Sequence, residues 1–377
     1  MLNLAEIAFR EIRVYHYCQP FRFAFAHARA THTHSHNIIV AACLDDGTWG
    51  YGESIPREFV TGESIDSVFT AMETLNPSRI RLETCPPAVR CALELAYLDA
   101  YGKSQRLSVP QLIRPMLGKV EAPVCKRVPD ASPAVSGVIG QSPALKQQLR
   151  AWVMKRFGLP SLKLKVGADP SDTLHSVKQV RRVVGKNYPL RLDANGAWSY
   201  EQAADLLQAL EPFAICAVEE PLRKSDKHRL RDLKQAVSPT IILDESVGTR
   251  EDLEWALREQ CAHGVNLRIS KCGGLVPGLQ MAKRLKENGW LVQLGSHVGE
   301  TGILDAAARH FLRLFPGVDL LETGYGSFLF HRSLVADPLR FGYRGKLTGE
   351  PGPYGLGLAV NPDILDRYTR RCRVIHA

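Results

Sequence analysis

Seven polar residues recur along the chain at nearly constant intervals, and each follows an apolar stretch of strand-like length. They are Lys165, Asp193, Glu219, Asp244, Lys271, His297 and Glu322, and successive members lie 25–28 residues apart. In folds that alternate strands with helices, one strand and one helix with their loops take up roughly 30 residues. The spacing therefore predicts that each residue lies near the carboxyl end of a strand, at one shared mouth of a barrel.

Three of these residues are carboxylates at the ends of consecutive predicted strands. They are Asp193 in RLDANG, Glu219 in AVEEPL and Asp244 in ILDES. Converging carboxylates repel one another unless a cation joins them, and oxygen-only ligation suits a hard divalent ion. An alternative is that each acid only caps the helix that follows it. Because the acids recur in three successive repeats, we predict a Mg²⁺ site, with Mn²⁺ as a possible substitute.

Lysines flank the acidic trio on both sides. In SLKLKVG (161–167), Lys163 and Lys165 alternate with apolar residues, so both point to one face of a strand. On an exposed edge strand such lysines would only discourage aggregation. On an interior strand, desolvation and a neighbouring ammonium favour the neutral amine. We therefore predict that Lys165 is a general base tuned by Lys163, and that Lys271 moves a proton on the opposite face.

The chemistry that these groups suggest is removal of a proton α to a carboxylate. Such a proton is weakly acidic, and the intermediate carries additional negative charge. A metal on the carboxylate and nearby ammonium groups can neutralise that charge as it forms.

Eight apolar runs from about residue 121 onward alternate with amphipathic segments of helical period. The runs are APVCKRV, PSLKLKV, PLRLDANG, AICAVEEP, TIILDES, GVNLRISKCGG, WLVQLGSH and VDLLETGYG. They predict an α/β fold with a closed parallel barrel over residues 121–344. An open doubly wound sheet is the alternative, but no GxGxxG turn follows the first run. Ser199 and Gln202 have the spacing of a capping box at the start of one helix.

Residues 1–120 show a different order, with strands first and helices afterwards. The step Asp46-Gly47 predicts a hairpin, and helices are expected over roughly 64–75 and 86–104. This order predicts an α+β capping domain. The tail, 345–377, is rich in Gly and Pro and ends in a short helix, so we expect it to pack back on this domain.

Composition excludes several classes of protein. Of the 377 residues, 45% are hydrophobic and 23% charged, as in a globular protein. The net charge of +9 comes without a dense basic block, so it predicts attraction of a small anion rather than nucleic-acid binding. No apolar run reaches 18 residues and the N-terminus lacks a signal-like apolar region, so we expect a cytoplasmic protein without membrane contact. The nine cysteines lack metal-site or disulfide spacing and are expected to be reduced.

The run HTHSH (32–36) places His32, His34 and His36 on one face if it is a strand. These three side chains could then bind a metal ion. We favour a loop before the strand NIIVAACL, because no fourth ligand is evident.

The motifs taken together resemble the enolase superfamily, and within it the muconate-lactonizing-enzyme (muconate cycloisomerase) subgroup. They are Lys163-x-Lys165, Asp193-x-Asn195, Glu219-Glu220-Pro221, Asp244-Glu245-Ser246, Lys271 before Gly273-Gly274, and Glu300-Thr301-Gly302. The resemblance implies a capping domain over a modified (β/α)₇β TIM-type barrel. It also implies Mg²⁺ at Asp193, Glu219 and Asp244, with Lys165 and Lys271 as an acid–base pair and Lys163 in support.

The resemblance also implies where the substrate binds. Residues expected beside the metal ligands or in the substrate pocket are Asn195, Glu220, His297, Glu300 and Glu322. His297 lacks the Asp partner of the mandelate-racemase subgroup, so a structural role for it is equally open. Loops at 23–36 and 57–64 are expected to set specificity. The dipeptide epimerases of the subgroup carry Asp-x-Asp where this chain has Leu321-Glu322-Thr323, although Glu322 alone could bind a cation.

Two enzymatic hypotheses and one non-enzymatic hypothesis follow. The first is a Mg²⁺-dependent isomerase of a small carboxylate, either a racemase or epimerase that uses both lysines or a cycloisomerase that uses one. The second is a lyase of o-succinylbenzoate-synthase type with the same residues. The third, a barrel that only binds ligands, is disfavoured because every acid and lysine is retained. The resemblance also implies a homo-oligomer.

Overall fold

The computed structural model describes residues 4–27, 30–117 and 134–377, with only the backbone at 25–27 and 30–32. The strands are β1 Glu11–His27, β2 Ala30–Cys43, β3 Trp49–Ser54, β4 Gly137–Ile139, β5 Leu162–Lys165, β6 Leu190–Asp193, β7 Ala217–Glu219, β8 Thr240–Leu243, β9 Gly264–Arg268, β10 Leu291–Gly295, β11 Leu320–Leu321, β12 Arg340–Phe341, β13 Leu347–Thr348 and β14 Thr369–His376. The helices are α1 Glu58–Thr61, α2 Ile65–Glu73, α3 Pro87–Gln105, α4 Val109–Leu117, α5 Ala144–Arg156, α6 Pro170–Val184, α7 Tyr200–Ala209, α8 Leu230–Ala236, α9 Arg250–Glu259, α10 Leu275–Glu287, α11 Gly302–Leu314, α12 Gly326–Leu329 and α13 Pro362–Tyr368.

Strands β4 to β11 form one eight-stranded sheet in chain order, and every neighbouring pair in it is parallel. The two edges of this sheet meet, because Val135 bridges Leu321 in parallel and Ser136 N donates to Leu321 O over 2.8 Å. The predicted α/β barrel with an α+β cap is therefore confirmed as the fold class. The predicted domain boundaries remain a prediction.

One predicted barrel strand, APVCKRV at 122–128, lies outside the described residues. The sheet as described opens instead with β4, which the sequence analysis did not identify. This strand has only three residues and begins with Gly137. Such a segment is too short to show a period of two, so the sequence carries little signal for it.

A second, antiparallel sheet has the strand order β14-β1-β2-β3. The turn between β2 and β3 is closed by Leu44 N to Thr48 O at 3.0 Å and by Gly47 N to Leu44 O at 3.0 Å. Gly47 has φ +85°, which glycine adopts without strain, so the predicted hairpin is confirmed. The tail does not end in its helix as expected, because β14 follows α13 and pairs with β1.

Helix α3 packs closely on β3 because glycines in the strand leave room for it. A Cβ atom at Gly52 would lie 1.9 Å from Ala92 O, and one at Gly50 would lie 2.2 Å from Ala100 N. In the barrel, α7 begins with the predicted capping box. Gln202 N donates to Ser199 Oγ over 3.2 Å, and Ser199 N donates to Gln202 Oε1 over 2.9 Å.

The HTHSH run is not a loop, since all of it lies within β2. The side chain of His32 is outside the described residues, and His34 is half-buried. His36 Nδ1 lies 3.0 Å from His16 Nε2 on the neighbouring strand. Burial and His16 lower the pKa of His36 to about 4, which favours a neutral pair. In the same described ranges, no helix is long and apolar enough to cross a membrane.

Candidate active site

The barrel register brings the predicted site residues to one end of the sheet. Lys165, Asp193 and Glu219 are direct neighbours in the pairing of β5, β6 and β7. Glu219 pairs with Ile242 on β8, and Asp244 lies two residues further on the same face. All four charged side chains are at most 9% exposed. The three carboxylates and Lys165 therefore share the mouth of the barrel, as the spacing predicted.

Lys163 lies inside the barrel at the centre of three carboxylates. Its Nζ is 2.9 Å from Glu219 Oε2, 2.5 Å from Glu322 Oε2 and 3.6 Å from Asp193 Oδ2. Burial alone lowers the pKa of Lys163, but these carboxylates outweigh it and raise the pKa overall. Lys163 is therefore a buried cation that the surrounding carboxylates keep protonated.

Glu322 is committed to this internal network. Besides Lys163, it accepts a hydrogen bond from Arg191 Nη2 over 2.7 Å, and Arg191 Nη1 donates to Gln293 Oε1 over 2.7 Å. The sequence analysis missed Arg191, although its position two residues before Asp193 puts it on the same strand face. Glu322 therefore already binds two protein cations.

Lys165 is the most open of the three lysines predicted for the site, at 8% exposed against 3% for Lys163 and 0% for Lys271. Its Nζ donates to Asp193 Oδ2 over 2.7 Å and to Asn195 Oδ1 over 3.1 Å. The side chain borders a cavity of about 550 Å³ between the loops that follow β4 and β5. Asn195 in turn donates from Nδ2 to Glu245 Oε1 over 3.0 Å. Lys165 can therefore meet a ligand in the cavity while Asp193 and Asn195 fix its amine.

Glu220 holds the chain at the end of β8. Its Oε2 accepts from Asp244 N over 2.7 Å and from Ser246 N over 3.2 Å, and Ser246 Oγ also donates to it. Glu220 thus fixes the backbone of Asp244, and its expected place beside the metal ligands stays a prediction.

Lys271 contacts one of the expected metal ligands, and its role in proton transfer stays a prediction. The side chain is fully buried, and Nζ donates to Asp244 O over 2.6 Å, Asp244 Oδ1 over 2.9 Å and Asn266 O over 2.7 Å. An ammonium group has three N–H donors, and all three are used. Lys271 therefore ties the turn after β9 to Asp244 at the end of β8.

Arg268 occupies the strand end that Lys271 was expected to fill. It is the last residue of β9, and its Nη2 forms an ion pair with Asp244 Oδ2. Its Nε is buried without a hydrogen-bond partner. Burial alone lowers the pKa of Arg268, but Asp244 and Glu245 raise it above its usual range. The cation that faces the mouth from this strand is therefore a guanidinium that stays charged.

His297 and Glu300 lie after β10, beside the mouth. His297 N donates to Glu300 Oε1 over 2.7 Å, but neither ring nitrogen of His297 has a hydrogen-bond partner. Burial, Arg268 and Arg57 lower the pKa of His297 well below its usual value, so the ring is neutral. Burial raises the pKa of Glu300 well above its usual range.

The carboxylate oxygens at the mouth are the kind of ligand that a hard divalent cation prefers. Within the described ranges, no three His, Cys, Asp or Glu side chains stand as a ready metal cluster. Instead Lys165 neutralises Asp193, and Arg268 neutralises Asp244. Glu245 Oε2 remains buried without a partner, and burial together with Asp244 raises the pKa of Glu245 to about 8. This excess of carboxylate favours an additional cation.

Comparison with known proteins agrees with this geometry. Residues 144–364 match the model of the Enolase C-terminal domain-like family. The chain belongs to the enolase superfamily. The finer assignment to the muconate-lactonizing-enzyme subgroup stays a prediction.

Several enzymes of this superfamily are similar over most of the chain. The hydrophobic dipeptide epimerase of Enterococcus faecalis is 28% identical over 287 residues, which are 72% of this chain and 77% of the epimerase. The N-succinyl-L-Arg/Lys racemase of Bacillus cereus is 26% identical over 355 residues, 88% of this chain and 90% of the racemase. The crystal structure of that racemase matches with a TM-score of 0.86 at 24% identity and covers 98% of this chain and 100% of its own.

A Cytophaga hutchinsonii dipeptide epimerase, complexed with Mg and D-Ala-L-Val, matches with a TM-score of 0.85 at 22% identity. It covers 98% of this chain and 100% of its own. Membership of the superfamily supports a magnesium-dependent isomerase or lyase.

Proposed function

We propose that this protein is a magnesium-dependent enzyme that removes the proton α to a carboxylate of a small acid, with Lys165 as the only base. The observation that carries the proposal is the contrast between two lysines. Lys165 borders the cavity between the loops that follow β4 and β5, whereas Lys271 is buried and donates to Asp244 and Asn266. Of these two lysines, Lys165 is the one that borders a cavity, which supports it as the base.

The residues around Lys165 have separate tasks in this proposal. The amine of Lys165 takes the α-proton, and the bonding electron pair moves to the substrate carboxylate as an enediolate. Asp193 and Asn195 hold the amine in place and stabilise its ammonium after the transfer. Lys163 remains protonated beneath them and adds fixed positive charge under the mouth.

The three carboxylates Asp193, Glu219 and Asp244 would hold the magnesium ion. When bound there, the ion supplies positive charge that offsets the charge developing on the substrate carboxylate. Glu220 keeps Asp244 in position through its backbone, so its effect on the reaction is indirect.

A single base on one face determines which reactions are favoured. Racemisation removes a proton from one face of the carbon and returns it to the other, so it is served best by two acid–base groups. Arg268 stands on the opposite side of the mouth, and an arginine does not release its proton in proteins. We therefore favour a reaction in which the electron pair expels a group from the β-carbon. In a lyase the group leaves as hydroxide, which the Lys165 ammonium protonates to water. In a cycloisomerase the ring oxygen of a lactone leaves as part of a carboxylate.

A second candidate is epimerisation or racemisation, and the relatives named above favour it. A dipeptide substrate receives no support from this chain, because Glu322 is held by Lys163 and Arg191 rather than open to an ammonium group.

The test is incubation with Mg²⁺ in D₂O of a panel of dicarboxylic acids, N-acyl amino acids, dipeptides and lactones, followed by ¹H NMR and chiral chromatography. We expect at least one acid to exchange its α-proton or to eliminate, without appearance of its enantiomer. Rapid formation of the enantiomer with solvent deuterium would support the second candidate, and no exchange in any acid would contradict both.

A further inference from the structure

A small cavity lies beside the last helices of the barrel, apart from the mouth. It measures about 60 Å³ and is bordered by β1, by the starts of α11 and α12 and by the segment that follows α12. Its polar lining includes the side chains of Arg22, His331, Arg332, Arg340, Ser327 and Ser333. In the part of the chain that the structure describes, no predicted acid or lysine of the mouth lines this cavity. It is therefore a separate space from the candidate active site.

Two contacts hold β1 against the segment that follows α12. Phe21 forms an isolated antiparallel bridge with Phe330, and the centroids of their rings lie 5.5 Å apart. Gln19 Nε2 donates to Arg332 O over 2.8 Å. Arg22 follows Phe21 directly, so its side chain reaches the same cavity as that of Arg332 although the two residues are far apart in the sequence.

The three arginines that line the cavity have no acidic partner. Arg22, Arg332 and Arg340 are exposed, and within the described ranges no Asp or Glu forms an ion pair with any of them. Because arginine stays charged in proteins, their guanidinium groups repel one another across the cavity. Asp305 is the one acid among the described lining residues, but it is buried and accepts a hydrogen bond from Gly324 N over 2.9 Å. Burial raises the pKa of Asp305 to about 7, so the cavity has a net positive charge at neutral pH.

The size and the donors of the cavity suit one phosphate group. Roughly 10–15 Å³ of such space holds one water molecule, so the cavity takes a group of about five heavy atoms, and phosphate has five. Sites for larger ligands measure roughly 300–1,000 Å³. Guanidinium groups match phosphate oxygens with parallel pairs of hydrogen bonds. Ser333 Oγ accepts from Val335 N over 3.2 Å, which leaves its own hydroxyl proton to donate.

We propose that Arg22, Arg332 and Arg340 form a binding site for a phosphate group, as free inorganic phosphate or as the end of a phosphate monoester. The site lies apart from the mouth, and the inference does not depend on the proposed reaction. A bound phosphate joins β1 of the cap, through Arg22, to the segment after α12. Because Arg22 directly precedes 23–36, one of the two segments expected to set specificity, phosphate restrains the base of that segment.

The test is isothermal titration calorimetry with inorganic phosphate in chloride buffer of fixed ionic strength, without Mg²⁺. We expect one phosphate to bind per chain with a Kd below about 1 mM, and acetate to bind at least ten-fold more weakly. Phenyl phosphate distinguishes the two sources. Affinity equal to that of inorganic phosphate supports a monoester as ligand, and weaker binding supports the free ion. Equal affinity for acetate and phosphate, or no binding of phosphate, would overturn the proposal.

Variants locate the bound phosphate. Arg332→Gln and Arg340→Gln are each expected to weaken phosphate binding at least ten-fold, because each loses charge-assisted hydrogen bonds. Both side chains are exposed, and both residues accept hydrogen bonds through backbone carbonyl groups that the substitutions leave in place. Thermal unfolding in chloride buffer should therefore be unchanged, which checks that the variants are folded. The matched control is Arg79→Gln, an exposed arginine paired with Glu6, which should bind phosphate like the unaltered protein.

A variant at the mouth separates this site from the candidate active site. Arg268→Gln should bind phosphate with unchanged affinity. Loss of phosphate binding in Arg268→Gln, together with its retention in Arg332→Gln, would place the ion at the mouth and contradict the proposal. Since binding alone is measured, failure of Lys165 as the base would leave the result intact.

Discussion

Lys165 and Arg268 end strands that are four apart in the eight-stranded sheet, and they hold Asp193 and Asp244 respectively. The mouth of the barrel thus has an amine on one side and a guanidinium on the other. Because only the amine can readily gain and lose a proton, the two faces of a bound acid are chemically unequal.

Replacing the guanidinium by an amine should change the stereochemical outcome. We predict that Arg268→Lys introduces a second acid–base group, so that the enantiomer of an exchanging acid appears, with solvent deuterium at its α-carbon. Chiral chromatography with mass spectrometry measures this product. Arg268→Gln, which removes the charge without supplying a base, is the control and should form none. Equal enantiomer formation by the unaltered protein and by Arg268→Lys would show that Arg268 does not limit the reaction to one face.

Lys271 should matter for stability rather than for proton transfer. Lys271→Met removes a buried cation and leaves Asp244 O and Asn266 O without their donor. We expect the free energy of unfolding to fall by about 3–5 kcal/mol, as for removal of one partner of a buried ion pair. Urea unfolding at pH 7.5 measures it. Lys178→Met, at an exposed position on α6, should change it by about 0.5 kcal/mol or less. An equally small loss in Lys271→Met would refute the structural role.

Magnesium binding should depend on the acids at the mouth. Saturation with Mg²⁺ at a hundred-fold excess over its Kd should raise the free energy of unfolding by about 2.7 kcal/mol. We predict that this Mg²⁺-dependent increment is lost in Asp193→Asn and Glu219→Gln. The free energy of unfolding is measured with and without Mg²⁺ in each variant. The increment is the difference between the two values, so a general loss of stability does not affect it. Asp232→Asn, an exposed acid on α8, should keep it. An undiminished increment in both site variants would place the metal elsewhere.

A buried carboxylate between α3 and α10 should make stability depend on pH. Glu94 Oε1 accepts from Val276 N over 3.0 Å, and burial raises the pKa of Glu94 to about 7. The folded state holds the proton of Glu94 more tightly than the unfolded state does. The contribution of this proton to the free energy of unfolding is therefore complete below about pH 4.5, and it is lost as pH rises towards 7.

The isosteric variant Glu94→Gln isolates this contribution. Between pH 5 and pH 8, the free energy of unfolding of the unaltered protein should fall by about 2–3 kcal/mol more than that of Glu94→Gln, as expected from a shift of this size. Urea titrations at both pH values measure the difference. Glu83→Gln, at an exposed position, should behave like the unaltered protein. Parallel pH dependence of the unaltered protein and Glu94→Gln would contradict the raised pKa.

Much of the barrel could be predicted because its strands end in polar residues at regular intervals. Strands β5 to β11 each end in a residue of that series or within three residues before one. The start of α7 was predicted from the capping box of Ser199 and Gln202. Strand β4 and the final strand β14 were missed, because neither combines an apolar run with a polar end in this way.

The site was predicted less completely for a physical reason. Arg268 and Lys271 are three residues apart and follow Asp244 by 24 and 27 residues, close to one strand–helix interval in both cases. Which of them faces the mouth depends on where β9 ends, and spacing cannot determine a boundary to that accuracy. Arg57 was named only as part of a loop, because its position depends on how the cap contacts Ser270 and Val298.

The most direct test of the account is the α-proton exchange of Lys165→Ala, followed by ¹H NMR in D₂O with Mg²⁺ and the acid that the unaltered protein exchanges fastest. The account predicts that exchange falls by at least a thousand-fold, while calorimetry still detects binding of Mg²⁺ and of the acid. Exchange within ten-fold of the unaltered rate, with binding intact, would contradict Lys165 as the base.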